Sequence, residues 1–186
     1  MDKISFEKLK KWDEIFFDNC NRFAKHSKCL SRKVGAVIVK DHCQIAGGYN
    51  GPPRNVPHCD ERYLLDKELI KALNNRGVDN ENPKYHQTCP RRLLGYKSGE
   101  GLRWCIAAHA EENAILQVSR LGGPSLKGTT LYLNDVVPCS NCLIKIINSG
   151  ISEVVCIDPD EVYTNTTSEF ILKHQKTFII RQYTHL

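Results

Sequence analysis

Two short motifs, His109-Ala110-Glu111 and Pro138-Cys139-Ser140-Asn141-Cys142, stand 26 residues apart and constrain the fold more than any other stretch. Their His and Cys side chains are metal donors that can act together only if two distant parts of the chain meet. Cys139 and Cys142 are three apart at the start of a predicted helix, so both project from one face and can share one metal. His109 opens a second helix and supplies the third donor. Three protein ligands are the usual complement of a catalytic zinc, with the fourth position open to a water whose pKa the metal lowers to about 7. Both helix starts also turn their positive dipole ends toward such a site, which favours thiolates and a bound anion.

Glu111 is two residues beyond His109, and positions i and i+2 diverge on a helix, so it belongs beside the metal rather than on it. A partly desolvated carboxylate placed there can take a proton from water, deliver it to a ring nitrogen, and later protonate a departing amine. Glu112 is the rival carboxylate, but its place in the pattern is wrong and it reads as structural or solvent-facing. Taken singly, Pro-Cys-x-x-Cys also fits a redox pair or half of a zinc knuckle, and His-x-Glu alone means little. In this order, each at a helix start and separated by a strand, they point to zinc-dependent hydrolytic deamination of a base.

The rest of the chain reads as alternating strands and helices. From Ser5, a plausible N-cap, to about Lys25, the residues Leu9, Trp12, Phe16, Cys20 and Phe23 recur at helical spacing and predict a core-facing stripe. The run Val34 to Val39 predicts a strand covered on both faces, and the polar break Asp41-His42-Cys43 turns it into a second strand, Gln44 to Tyr49. Asn50-Gly51-Pro52-Pro53 then breaks regular structure at a strand end, a natural place for a ligand contact. Residues from about Asp60 to Arg76 read as one helix with Leu64, Leu65, Leu69 and Leu73 on one side and Gly77 as its stop. The stretch Val78 to Gly101 reads as irregular, and a loop of that length needs something to order it.

After His109, the residues Ala110, Ala114, Val118 and Leu121 trace a helical stripe ending at Gly122-Gly123. A strand at Thr129 to Leu133, a helix from Cys139 to Gly150 and a strand at Glu153 to Ile157 form a strand-helix-strand unit, which implies parallel pairing. A helix near Ser168 to His174 and a strand at Phe178 to Arg181 complete one α/β sheet with helices on both faces.

A chain of 186 residues suits one domain, 1–186, with an insertion at about 60–106. No apolar run approaches the roughly 20 residues needed to cross a bilayer, and the first residues do not resemble a secretory signal. The net charge of +5 suits a small anionic substrate and is too modest to argue for a nucleic-acid groove. Nine cysteines without an export signal point to metal ligands, reactive thiols or buried small residues in a reducing cytoplasm, with Cys20, Cys43 and Cys156 as small hydrophobes.

His109-Ala110-Glu111-Glu112-Asn113-Ala114-Ile115 with Pro138-Cys139-Ser140-Asn141-Cys142 resembles the cytidine deaminase superfamily. Gly48-Tyr49-Asn50-Gly51-Pro52-Pro53, preceded by the run Val34 to Val39, narrows the resemblance to the deoxycytidylate (dCMP) deaminases. The likeness covers about Lys28 to Ile157. It implies a three-layer α/β/α fold on a five-stranded mixed sheet and a reaction in which dCMP and water give dUMP, for thymidylate synthesis, and ammonia. It also implies that Asn50 contacts the sugar or base, to which its amide offers donors and an acceptor; the competing role is a turn residue before glycine. Lys28, Ser31, Arg32, Lys33 and Arg54 are candidates for the 5′-phosphate. Family members of this type are often homohexamers regulated by dCTP and dTTP, and the same is expected here.

Some relatives hold a second, structural zinc before the catalytic helix. Cys29, Cys59, Cys89 and Cys105 are the candidate ligands of such a site here, and His58 or His86 could replace a cysteine. A tRNA adenosine or other nucleic-acid base deaminase shares the zinc core, but Tyr49-Asn50-Gly51-Pro52 and the lack of a basic stripe stand against it. Against a zinc-stabilised binding module without turnover stands Glu111.

Overall fold

The structure, a computed structural model, describes residues 3–158 and 166–183. In chain order these form helix α1 (Lys3–Ala24), strands β1 (Gly35–Lys40) and β2 (Cys43–Tyr49), and helices α2 (Cys59–Leu65), α3 (Lys67–Asn75), α4 (Pro90–Leu93) and α5 (Ala110–Leu121). Strand β3 (Thr130–Leu133), helix α6 (Ser140–Asn148), strand β4 (Glu153–Cys156), helix α7 (Thr166–His174) and strand β5 (Ile179–Gln182) follow. The elements gather into two compact units. One draws on residues up to Ser27, on Val34–Tyr49 and on residues from His109 onward, and the other on Lys28–Lys33 and Asn50–Ala108.

The first unit is built on one sheet in the order β2-β1-β3-β4-β5. Strand β1 is antiparallel to both β2 and β3, whereas β3, β4 and β5 run parallel. The parallel pairing follows from the helices between those strands, which return the chain to the same end of the sheet. Alternation of side chains along the strands divides the core in two. Ala36, Ile38, Leu131, Leu133, Val154 and Cys156 pack against Ala110, Ala114 and Val118 of α5 and Leu143 and Ile146 of α6. On the other face, Val37, Val39, Tyr132 and Val155 pack on Phe16 and Cys20 of α1. The sheet is therefore a middle layer between helices, the three-layer mixed arrangement expected of a cytidine-deaminase-like fold.

Two glycines allow this close packing. A Cβ on Gly35 would lie 2.0 Å from the carbonyl oxygen of Cys20 in α1, and one on Gly48 would lie 2.4 Å from Ala110 O and Ala114 N in α5. The backbone of β2 thus rests directly on the first turns of the helix that His109 caps. A polar tie reinforces the opposite face. Asp13 of α1 is fully buried and accepts hydrogen bonds from Tyr132 Oη at 2.9 Å and from Arg181 Nη2 at 2.7 Å, while Arg181 Nε donates to Glu153 Oε1 at 2.8 Å.

The second unit corrects one sequence expectation. The helix expected over 60–76 is two helices broken at Asp66, whose backbone is extended there (φ −93°, ψ 93°). Its carboxylate accepts from Leu69 N at 3.0 Å to cap α3, and also from Arg62 Nε and Nη2. Such local bonding of Asp to the backbone competes with helix continuation. The break turns Leu64 and Leu65 outward, at 75% and 61% exposure, away from the buried Leu69 and Leu73. The small core of this unit is Tyr63, Leu69, Leu73, Tyr85 and Leu94. The expected loop 78–101 contains α4 and a single 3₁₀ turn, Tyr85–Gln87, pinned where Tyr63 Oη donates to the Thr88 carbonyl.

Smaller departures have local causes. Leu121 is exposed because α5 closes at Gly122 in the left-handed region, φ 65°. Cys43, expected to be a small hydrophobe, is exposed beside the turn made by Asp41 and His42, both at positive φ. Among the described residues no helix is long and apolar enough to cross a membrane. Gly48→Ala should destabilise the protein by about 1–3 kcal/mol through forced separation of backbones, as measured by urea denaturation; an unchanged midpoint would show that β2 and α5 are not in direct contact.

Candidate active site and metal centre

The site arises where two helices begin. His109 is the N-cap of α5 (φ −76°, ψ 161°) and Cys139 the N-cap of α6 (φ −62°, ψ 162°), so both residues leave an extended backbone just before a helix. Cys142 follows one turn into α6 and is buried among its core residues. His109 Nδ1 lies 3.6 Å from Cys139 Sγ and 3.4 Å from Cys142 Sγ. Zinc–nitrogen and zinc–sulfur bonds of ordinary length at a tetrahedral angle place nitrogen and sulfur about 3.5 Å apart. The donor set and its spacing therefore fit zinc. Among the described residues, this is the one group of His, Cys, Asp or Glu donors whose ligand atoms all lie within 4.8 Å of one another.

The charges around this cluster are strongly coupled. The Cys139 thiol is held well below its ordinary value, first by the hydrogen bond from Cys142 and further by His109, while Cys142, the partner carrying the proton, is pushed up. The hydrogen bond with Cys139 also raises His109 to about 9, against the opposing effect of burial and with help from Glu111 and Glu112. A metal ion among these donors would take the place of the shared protons, which is why affinity at such sites falls with acid.

Glu111 lies in the first turn of α5 and is 5% exposed. Burial lifts its carboxyl to about 7, against the pull of His109. Its neighbour Glu112 has a different task. Glu112 Oε2 accepts from His109 N at 2.8 Å, and Oε1 is paired with Lys145 Nζ of α6. Burial raises the Glu112 carboxyl, but the bonds to Lys145 and His109 outweigh it, and the net direction is down. The structural reading of Glu112 thus holds, while the role of Lys145 had no signal in the one-dimensional pattern.

Asn113 is a second residue that the motifs did not single out. Its Nδ2 donates to the carbonyl of Tyr49 at 2.8 Å, fixing the end of β2 to the third residue after Ala110 on the same helix. The next residue along the chain, Asn50, is 8% exposed and donates from Nδ2 to the Arg32 carbonyl at 2.8 Å. The second unit thereby brings Asn50 to the basic segment 28–33, in which Lys28, Ser31, Arg32 and Lys33 are exposed, as is Arg54.

The four other candidate ligands also belong to the second unit. Cys59 and Cys89 are buried and Cys29 and Cys105 half-buried. Burial, then the charges of Cys89, Cys29 and Cys105, raise the Cys59 thiol to about 11, so thiols far apart in sequence share one neighbourhood. No three of them come within 4.8 Å of one another. Beside Cys59, the buried His58 Nδ1 has no hydrogen-bond partner.

The profile of a family described as the cytidine and deoxycytidylate deaminase zinc-binding region matches residues 10–158. The chain belongs to this family. Its relatives include the deoxycytidylate deaminase of Mycobacterium phage D29, 36% identical over 149 residues that make up 77% of this chain and 92% of the phage protein. The deoxycytidylate deaminase of Schizosaccharomyces pombe is 33% identical over 144 residues, 77% of this chain. The match spans 36% of the length of that protein and of its Saccharomyces cerevisiae counterpart. The fold resembles the crystal structure of dCMP deaminase from the cyanophage S-TIM5 in complex with dCMP and dUMP, with a TM-score of 0.58 at 19% identity, covering 91% of this chain and 94% of that one. Family and donor geometry together support zinc as the metal.

Cys142→Ser should remove zinc from the cluster, measured as metal per chain by mass spectrometry after dialysis. Zinc kept at the wild-type level would exclude Cys142 as a ligand.

Proposed function

We propose that this chain catalyses the hydrolytic deamination of dCMP to dUMP and ammonia, with a catalytic zinc held by His109, Cys139 and Cys142. The observation that carries the reading is a buried carboxylate, Glu111, in the same helical turn that follows a three-donor cluster of zinc spacing, in a chain with dCMP deaminase relatives. When bound, the metal supplies a nucleophile at neutral pH by lowering the pKa of water. Glu111 serves as the proton carrier. With its carboxyl raised by burial, it accepts a proton from the attacking water, delivers it to the N3 atom of the cytosine ring, then takes the second proton from the new C4 hydroxyl and passes it to the amine as the C4–N bond breaks and the C4 carbonyl forms. A C4–O bond replaces the C4–N bond, so one water is consumed for each ammonia released.

Asn50 is assigned to the sugar or base, with the bond to Arg32 holding its amide in place. Ser31, Lys28 and Arg54 are assigned to the 5′-phosphate, supported by their exposure and chemistry. The shared neighbourhood of Cys29, Cys59, Cys89 and Cys105 supports a second, structural zinc, and the orphaned His58 Nδ1 supports His58 as an alternative ligand. We treat the chain as one deaminase-like domain of the cytoplasm, assembled as a homo-oligomer such as a hexamer and responsive to dCTP and dTTP. These last points rest on the family resemblance.

Zinc-loaded protein incubated with dCMP, deoxycytidine and tRNA, with and without dCTP, should release ammonia from dCMP; no turnover of dCMP under either condition would refute the proposal. Glu111→Gln should retain the zinc of the His109 cluster while losing about 10²–10⁴-fold in turnover. Loss of that zinc with the activity would make Glu111 a ligand instead. Metal analysis should find two zinc ions per folded chain, one of them lost in Cys89→Ser or Cys105→Ser, and a single ion in the wild type would remove the structural site.

A further inference from the structure

The metal donors come from two helices that are separate in sequence: His109 precedes α5, and Cys139 and Cys142 belong to the start of α6. Apart from the metal itself, something must hold one helix start at a fixed distance from the other. An N-terminal turn of helix normally ends in a side chain that accepts its first free N–H groups. His109 occupies the N-cap, but its Nδ1 faces the two sulfurs. The reciprocal bond of the capping pattern is carried by Glu112, whose Oε2 accepts from His109 N at 2.8 Å.

The same carboxylate reaches across to α6. Its other oxygen is paired with Lys145 Nζ, and Lys145 is three residues beyond Cys142, on the same side of that helix. One carboxylate group thus bonds to the backbone of one ligand residue and to the helix that carries the other two. The Glu112 side chain is 20% exposed and that of Lys145 52% exposed, so the pair is open to screening by salt.

We infer that Glu112 and Lys145 are positioning residues for the metal ligands, a charged strut between α5 and α6 that sets the gap into which zinc fits and slows its release. The strut rests on the assignment of zinc to His109, Cys139 and Cys142, and it acts through those ligands without touching the metal. It makes zinc retention depend on ionic strength, because screening weakens the strut while the ligand bonds themselves stay unchanged.

Zinc release from the loaded, full-length protein to a chromophoric chelator tests this. Lys145→Met should release zinc about two- to fivefold faster than wild type, the range expected for loss of a partly exposed pair. Glu112→Gln should match it, since the amide oxygen still accepts from His109 N while the charge is gone. The double variant should be no faster than either single one, because both remove the same interaction. Glu112→Ala, which also loses the helix cap, should exceed them all, by about tenfold over wild type. Lys145→Arg should restore slow release.

Raising the salt concentration should accelerate release from wild type toward the Lys145→Met rate and leave Lys145→Met almost unaffected. The acceleration of wild type by salt reads the intact protein and stands even if a variant folds poorly, since release from wild type that does not change with salt would also overturn the strut. Equal rates for wild type and Lys145→Met, additive effects in the double variant, or the same salt response in both proteins would each overturn the strut. Wild type that binds no zinc at this cluster would instead overturn the metal assignment beneath it.

Discussion

Three donor atoms from two helix starts have to meet within a few ångströms, and the sheet is what makes them meet. Strands β3 and β4 run parallel, so α6 must begin beyond the carboxyl end of β3, where Cys139 stands. Helix α5 reaches the same region because β2 lies flat against it, with Gly48 removing the side chain that would hold the two backbones apart. In an open α/β sheet, ligands gather at the carboxyl ends of parallel strands. The cluster of His109, Cys139 and Cys142 lies at such an end, and its first-turn positions supply both the thiolate-favouring dipoles and a fixed direction for Glu111.

Packing and chemistry are therefore not independent here. Ala110 and Ala114 are small where β2 approaches, and Asn113, on the same stretch of helix, bonds to the Tyr49 carbonyl. The residues between them, Glu111 and Glu112, take opposite roles from their environments. Glu111 is turned into the protein, and desolvation keeps a proton within reach near neutrality; Glu112 is turned toward the N–H of His109 and the amine of Lys145, and stays ionised. Two adjacent carboxylates have become a buried group raised toward neutrality and an ionised cap, a separation that follows from burial and partners rather than from residue type.

The meeting of His109, Cys139 and Cys142, the place of Glu111 in the first turn of α5 and the strand-helix-strand order were legible in the sequence because each rests on short-range regularities. Spacing of three on a helix pairs Cys139 with Cys142, and apolar runs bounded by turns mark β1, β3 and β4. What was not legible depends on competition or on distance. The break at Asp66 is a contest between a helical pattern and a side chain that bonds to both Leu69 N and Arg62, and nothing in the leucine spacing shows which wins. Lys145 and Asn113 carry no motif; each matters only because of what folding brings beside it, Glu112 in one case and the Tyr49 carbonyl in the other. Asn50 was visible as a residue at a strand end, but its bond to Arg32 joins parts of the chain 18 residues apart.

The buried carboxylate of Asp13 has a consequence for the order of folding. Its guanidinium partner, Arg181, is 168 residues further along the chain, and Tyr132, which also donates to it, is 119 residues away. A charge that is fully enclosed in the finished structure is costly to enclose alone. Helix α1 can form from local contacts alone, yet its seat against β1 and β3 stays electrostatically incomplete until β5 joins the sheet's edge. Securing α1 thus waits on contacts that complete the strand order, and they lie on the face of the sheet opposite the cluster of His109, Cys139 and Cys142.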